Sequence, residues 1–205
     1  MTKWLSEIKP TWCPGCNDYI ILGALQNVLT KLNIDQDKIV LVYDIGCIGN
    51  IADFIKGWGF HSLHGRSIPT GVGIKMANKE LEVIVIGGDG GIYGEGLSHL
   101  IAAARLNLDI TVIVANNQLY SLTTGQSSPT TPKGAKTKST PKGVESVPVL
   151  PLELIKTVNP SALAQSVDGK DIKSVNEAIE AAIKHKGFDL VDVNQICVSF
   201  GKQLL

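Results

Sequence analysis

Two groups of residues in this chain have the types and spacing to do chemistry. In the first, Gly88-Asp89-Gly90 and Asn116-Asn117 stand at the ends of two apolar, β-branched runs, Val83 to Ile86 and Ile110 to Val114, with residues 91 to 115 between the two motifs. One carboxylate and one amide oxygen from neighbouring strand ends suit Mg²⁺, which takes a few protein oxygens and fills its shell with water and substrate phosphates. The glycines let phosphate oxygens approach the backbone. The second group is the four cysteines, Cys13, Cys16, Cys47 and Cys197, each in a loop beside a strand end or a helix start. A CxxC pair with two remote single cysteines has the ligand count of a 4Fe-4S cluster or of a structural zinc. Spacing leaves that choice open.

These residues need elements to hold them. The two apolar runs flank an Ala- and Leu-rich segment of helical spacing, the pattern of a buried βαβ unit, so both polar loops emerge at the carboxyl edge of a parallel sheet, where ligands bind. Upstream, Trp12-Cys13-Pro14-Gly15-Cys16 precedes an apolar-periodic helix from about Tyr19 to Leu32, with Asn17 or Asp18 as its N-cap. WCPGC invites comparison with a thioredoxin dithiol. That fold needs a strand immediately upstream, and the short segment before Cys13, ending in Lys9-Pro10-Thr11, does not read as one. Ile39 to Tyr43 reads as a strand leading into the Asp44-to-Asn50 loop that holds Cys47. Phe60 to Arg66 reads as a loop before a short helix opened by Pro69 and running to about Ala77. His64 and Arg66 on that loop are placed to reach a diphosphate or a carboxylate, whereas His61 reads as a capping or exposed residue. Leu163 to Val167 and Leu190 to Val193 read as further strands around an amphipathic helix that starts near Asp171 and ends by Gly187.

From Ser121 to Pro148 the composition turns to Thr, Ser, Pro, Lys and Gly. TPKG occurs at Thr131 to Gly134 and again at Thr140 to Gly143, and Lys133, Lys136, Lys138 and Lys142 meet no acidic residue before Glu145. Loops of this length are functional or solvated linkers. A basic one suits an acidic electron carrier or a coenzyme phosphate.

The 205 residues, 44% hydrophobic with a formal net charge of +0, fit one α/β domain or a large part of a multi-subunit enzyme. No basic excess argues for nucleic acid. No apolar run approaches the roughly 18 to 20 residues that cross a bilayer, and MTKWLSEIKP lacks the apolar centre of a signal peptide, so the expectation is a cytoplasmic protein without membrane contact. In a reducing compartment four cysteines point to metal or cluster ligation rather than to disulfides.

GDG followed by NN resembles the thiamine diphosphate motif. That resemblance implies Mg²⁺ ligation by the side chains of Asp89 and Asn117 and by the Leu119 carbonyl, with the metal holding the cofactor's diphosphate. Beside such a site an iron-sulfur cluster has an evident purpose and zinc has none. WCPGC, DIGCIGNIADF, GFHSLHGR, IPTGVGIKMAN, GGDGG, HLIAAARLNLDITVIVANNQLY and TGQSSPTT, in this order over nearly the whole chain, are similar to the β subunit of the 2-oxoacid:ferredoxin oxidoreductases, the group that includes the pyruvate and 2-oxoglutarate enzymes.

The resemblance implies an α/β thiamine diphosphate-binding fold across residues 1 to 205, a mostly parallel sheet flanked by helices. It implies one 4Fe-4S cluster on Cys13, Cys16, Cys47 and Cys197, and cofactor contacts from Ile45, Gly46, Cys47, Ile48, His64, Gly90, Gly91, Ser121 and Leu122. Ile48 and Asn50 are candidates for substrate contact. The implied reaction is CoA-dependent oxidative decarboxylation of a 2-oxoacid to acyl-CoA and CO₂, with electrons passing through the cluster to ferredoxin. The cofactor-activating glutamate is expected on an α-type partner, alone or with γ- and δ-type subunits, since the acidic candidates Glu95 and Glu145 fall on diphosphate-side loops. Three departures stand out: Gly91 where many members carry an acid, Tyr120-Ser121 where they carry Tyr-Gly, and an end at Leu205 where they extend further, which leaves the cluster to a partner's cover or more exposed. Two other readings use the same residues. One is a non-redox thiamine diphosphate decarboxylase or synthase half, the other an electron-transfer module with a degenerate cofactor site.

Overall fold

In order, the chain forms α1 (Asp18–Lys31), β1 (Ile39–Tyr43), β2 (Trp58–His61), α2 (Ser67–Ala77), β3 (Glu82–Gly88), α3 (Leu97–Arg105), β4 (Ile110–Asn116), β5 (Leu119–Tyr120), β6 (Gln126–Ser127), α4 (Pro151–Val158), β7 (Leu163–Asp168), α5 (Ile172–Lys184) and β8 (Phe188–Asn194). This is a computed structural model that describes residues 4–204; the first three residues of the MTKWLSEIKP segment and Leu205 lie outside them. Six strands pair in parallel in the order β2-β1-β3-β4-β8-β7. The aliphatic, largely β-branched runs of β1, β3, β4 and β8 occupy its centre, the composition that a sheet covered on both faces requires.

Successive side chains of a strand point to opposite faces, and the core divides accordingly. Leu41, Ile84, Ile113 and Val191 pack under α1 and α5. Val42, Val85, Val112 and Leu190 pack on the opposite side with residues of α2, α3 and α4. From β1 the chain crosses to β2 on one side, and from β3 it crosses to β4 on the other. The carboxyl ends of β1 and β3 therefore part, and in such sheets that parting is where ligands bind.

The expected βαβ unit is present, but its helix starts late. Gly90–Glu95 forms a π-helical turn closed by Gly96 N–H on the Gly91 carbonyl at 2.8 Å, and α3 follows it. Four elements carry no local signal in the sequence. β2 overlaps the start of the Phe60-to-Arg66 segment read as loop, because an edge strand exposed at every position carries no burial alternation. α4 is a short helix opened by Pro151 with no side-chain cap, and β5 and β6 form a two-residue antiparallel pair. Asn17 sits at the N-cap of α1 without capping it; its Nδ2 instead donates to the Gly169 carbonyl at 2.9 Å and ties α1 to the turn before α5. Pro69 falls inside α2, which begins at Ser67.

The Ser121-to-Pro148 segment is a folded loop rather than a solvated linker. Gly134 N–H donates to the Val144 carbonyl at 2.8 Å and Val144 N–H to Ala135 at 2.9 Å, which sets the two TPKG repeats against each other. Its four lysines are exposed. Among the described residues no helix is long and apolar enough to cross a membrane.

At the amino edge of the sheet carboxyl groups stand close to basic side chains. Lys75 Nζ lies 2.7 Å from Asp109 Oδ2, and His185 Nδ1 lies 2.8 Å from Asp189 Oδ1. Burial, helped by the Asp109 and Glu82 charges, pushes the Asp189 carboxyl up to about 8. The folded chain then holds a proton that the unfolded chain has released above about pH 4, so this group removes stability as pH rises from about 4 to about 8. Asp189→Asn is expected to flatten that slope: thermal unfolding should show a smaller fall in Tm between about pH 5 and about pH 8 in the variant than in the parent chain.

Candidate functional site

The parted ends of β1 and β3 border a cleft. Ile45, Gly46, Cys47 and Ile48 line it from the β1 loop, Asp89, Gly90 and Gly91 from the β3 loop, Asn117, Leu119, Ser121 and Leu122 from beyond β4, and His64 from the loop ahead of α2. The structure thus gathers around one space all the residues expected to touch the cofactor and all three expected magnesium ligands. Arg66 is absent from the lining and pairs with His99 instead. Glu95 stands beside the cleft, with Oε2 3.2 Å from His64 Nδ1, and no glutamate is among the residues that line it.

Asp89 is buried, and burial pushes its carboxyl up to about 6 against the Ser128 and Thr130 hydroxyls and the Asn117 N–H, which favour the charge. A buried carboxylate held by neutral donors is a receptive partner for a hard cation. Asn117 Oδ1 is engaged in its own turn, accepting from Leu119 N–H and from Ser121 Oγ, both at 3.0 Å. To ligate a metal it would exchange one of these for the ion. The donor set, one carboxylate with an amide and a backbone oxygen, fits Mg²⁺.

The glycines of GGDGG serve the protein side of the cleft. A Cβ on Gly90 would lie 2.3 Å from the Tyr120 ring, and one on Gly91 would lie 2.3 Å from Asp44 Oδ1. Besides any approach of phosphate oxygens to the backbone, two side chains of the protein need that space. Asp44, directly after β1, is fully buried and was overlooked in the sequence. Its carboxylate accepts from Ile45 N–H at 2.8 Å, Gly65 N–H at 3.1 Å and Ser67 Oγ at 2.6 Å, fastening the Ile45–Ile48 loop and the His64 loop to the same strand end.

A second cavity has Cys13, Cys16, Cys47 and Cys197 together on its wall. Trp12 Nε1 donates to the Cys47 carbonyl at 2.7 Å and packs edge-on against Tyr19 and Phe54, which brings the CxxC arm to the Cys47 loop. Gln195 Nε2 donates to Asp18 Oδ1 at 2.8 Å, which brings the Cys197 loop to the start of α1. Burial and the Asp18 charge push Cys16 up to about 12 and Cys47 up to about 11. Both are protonated at neutral pH, so metal loading must displace those protons. The thiols ring the cavity: among the described residues no three His, Cys, Asp or Glu side chains are grouped closely enough for a single metal ion. Asn50, expected near substrate, lines this second cavity, whereas Ile48 lines the first. Cys47, Asp18, Asn117, Ser121, Leu122 and Gln195 line both cavities. Asp18 and Gln195 also went unread as site residues, because their shared position follows from long-range packing alone.

Comparison with known proteins gives the class first. Residues 44–193 match the family described as the C-terminal, thiamine pyrophosphate-binding domain of thiamine pyrophosphate enzymes. The chain is 46% identical over 92% of its length to the 2-oxoacid:ferredoxin oxidoreductase subunit beta of Saccharolobus solfataricus, of which it covers 62%. It is 38% identical over 94% of its length to the 2-oxoglutarate synthase subunit KorB of Archaeoglobus fulgidus, of which it covers 72%. Among solved structures it superposes with a TM-score of 0.93 and 32% identity on a chain of the 2-oxoglutarate:ferredoxin oxidoreductase from Magnetococcus marinus with 2-oxoglutarate, coenzyme A and succinyl-CoA bound, covering 96% of this chain and 67% of that one. The chain belongs to the family of 2-oxoacid:ferredoxin oxidoreductase β subunits. It spans 62% of the length of the Saccharolobus solfataricus subunit and 63% of that of the 2-oxoacid:ferredoxin oxidoreductase 1 subunit beta of Aeropyrum pernix.

Gly91→Ala tests the packing behind the cleft. Asp44 is held by three donors and cannot yield, so the variant should lose about 1–3 kcal/mol of stability by urea denaturation.

Proposed function

We propose that this chain is the cofactor-holding subunit of an enzyme that carries out CoA-dependent oxidative decarboxylation of a 2-oxoacid, residues 1–205 acting as one unit that binds thiamine diphosphate, Mg²⁺ and a 4Fe-4S cluster and passes electrons to ferredoxin. The observation that carries this reading is the common wall between the Asp89–Asn117 cleft and the cavity of the four cysteines. Electron removal over such a short span needs no intermediate carrier, which favours a redox enzyme over the non-redox decarboxylase.

When bound, the cofactor supplies the carbon nucleophile for a 2-oxoacid ketone, and the cluster supplies a one-electron acceptor. The chain's own residues hold and shield. Asp89, Asn117 and the Leu119 carbonyl would bind Mg²⁺, and the metal the diphosphate. Ile45, Ile48 and Leu122 give the cleft apolar walls, while Asp44 keeps the first two in place. With no glutamate on the cleft lining, an α-type partner would supply the acid that activates the cofactor, and the isolated chain should be inactive. Free cysteines and such a cluster belong in a reducing compartment, the cytoplasm.

Anaerobic purification of the native complex should yield brown material containing iron and acid-labile sulfide, and a screen of 2-oxoacids should find CoA-dependent reduction of a viologen dye. Cys197→Ser should abolish the absorption near about 400 nm and turnover together. Iron content and absorption unchanged in that variant would move the cluster to another subunit. Chelation with EDTA should release thiamine diphosphate from the complex, and Mg²⁺ should restore its binding, as equilibrium dialysis can measure.

A further inference from the structure

Composition alone leaves the Ser121-to-Pro148 loop without a role, yet one turn of it is buried. In Ser128-Pro129-Thr130-Thr131 the two threonines are 5% and 1% exposed. Buried hydroxyls need partners; Thr130 finds them in the GDG and NN motifs, and Thr131 finds one on the residue directly after NN. Thr131 Oγ1 donates to the Gln118 carbonyl at 2.6 Å, between Asn117 and Leu119, and accepts from Ser128 N–H at 2.7 Å. Thr130 Oγ1 lies 2.8 Å from Asp89 Oδ2 and 3.1 Å from Asn116 Oδ1. The hydroxyl has one proton and both neighbours accept, so the shorter contact to the carboxylate takes it. Asn116 is fixed from its other end, with Nδ2 3.1 Å from Asp192 Oδ1, which also accepts the Tyr93 hydroxyl at 2.7 Å. The turn is anchored in place by Val149 N–H on the Pro129 carbonyl at 2.9 Å.

We propose that Thr130 is a positioning residue for the metal: its hydroxyl fixes the orientation in which the Asp89 carboxylate ligates Mg²⁺, so the SPTT turn is part of the cofactor site. This deepens the reading of the cleft as a magnesium and thiamine diphosphate site and rests on it. A carboxylate free to rotate loses part of its binding in becoming ordered on the ion. Outer partners of metal ligands are typically worth about ten- to hundredfold in metal affinity for this reason.

The test uses the purified complex stripped with EDTA, with thiamine diphosphate binding followed by calorimetry as Mg²⁺ is raised. Thr130→Val removes the hydroxyl at constant shape, Thr130→Ser keeps it, and Thr137→Val removes a buried hydroxyl that bonds Thr140 at 2.8 Å and Ser139 at 3.2 Å within the same loop. Thr130→Val should raise the Mg²⁺ concentration for half-saturation about ten- to hundredfold, with cofactor binding recovered at high Mg²⁺. Thr130→Ser should stay near the parent value, and Thr137→Val should change Tm without changing the Mg²⁺ requirement. Thr130→Ala stands in if the valine variant does not fold. Parent-like Mg²⁺ dependence in the hydroxyl-free variant, or equal weakening by serine, overturns the inference and leaves the cofactor reading intact. Cofactor binding by the parent complex that needs no divalent ion overturns both.

Discussion

The opposite departures of the chain from β1 and β3 are the constraint on which the functional edge depends. Two adjacent parallel strands whose connections leave in opposite directions cannot have their carboxyl ends covered by either connection, so a cleft is left between them. Asp44 ties its two sides together by accepting from the N–H groups of Ile45 and Gly65 and from the Ser67 hydroxyl at once, and Gly91 leaves the room its carboxylate occupies.

The two edges of the sheet handle buried charge differently. At the amino edge carboxylates face cationic side chains, as Asp109 faces Lys75. At the carboxyl edge Asp44, Asp89, Asp18 and Asp192 are held by neutral donors: N–H groups, hydroxyls and amides. Neutral donors orient a carboxylate without cancelling its charge. Beside the cysteine cavity the Asp18 charge acts with burial to oppose thiolate formation at Cys16 and Cys47.

The convergence of the cysteines is a matter of long-range ties rather than of the cysteines themselves. Trp12 brings the WCPGC arm to Cys47, and Asn17 and Gln195 bind the start of α1 to the β7–α5 turn and the segment after β8. Those few hydrogen bonds, backed by the packing of α1 against α5 in one core, place residues far apart in the chain around a cavity that borders the cleft.

Strands β1, β3, β4, β7 and β8, helices α1 and α5, and the association of GDG with NN were legible in the sequence, because strong aliphatic runs, helical spacing and strand-end polar loops are local signals. So was the candidate set for the cleft, since each member lies at the end of a recognisable element. Tertiary structure alone decided the rest. β2 exposes its residues and carries no alternation, Asp44 is one acid after one strand until Gly65 and Ser67 arrive from beyond β2, and Asp18 reads as a helix cap until Gln195 meets it. Thr130 looks like any threonine of a polar loop, and only the folding back of that loop onto Asp89 gives its hydroxyl a partner. Local sequence carries the periodicity that burial imposes on each element; it carries no trace of which distant donor will satisfy a buried charge.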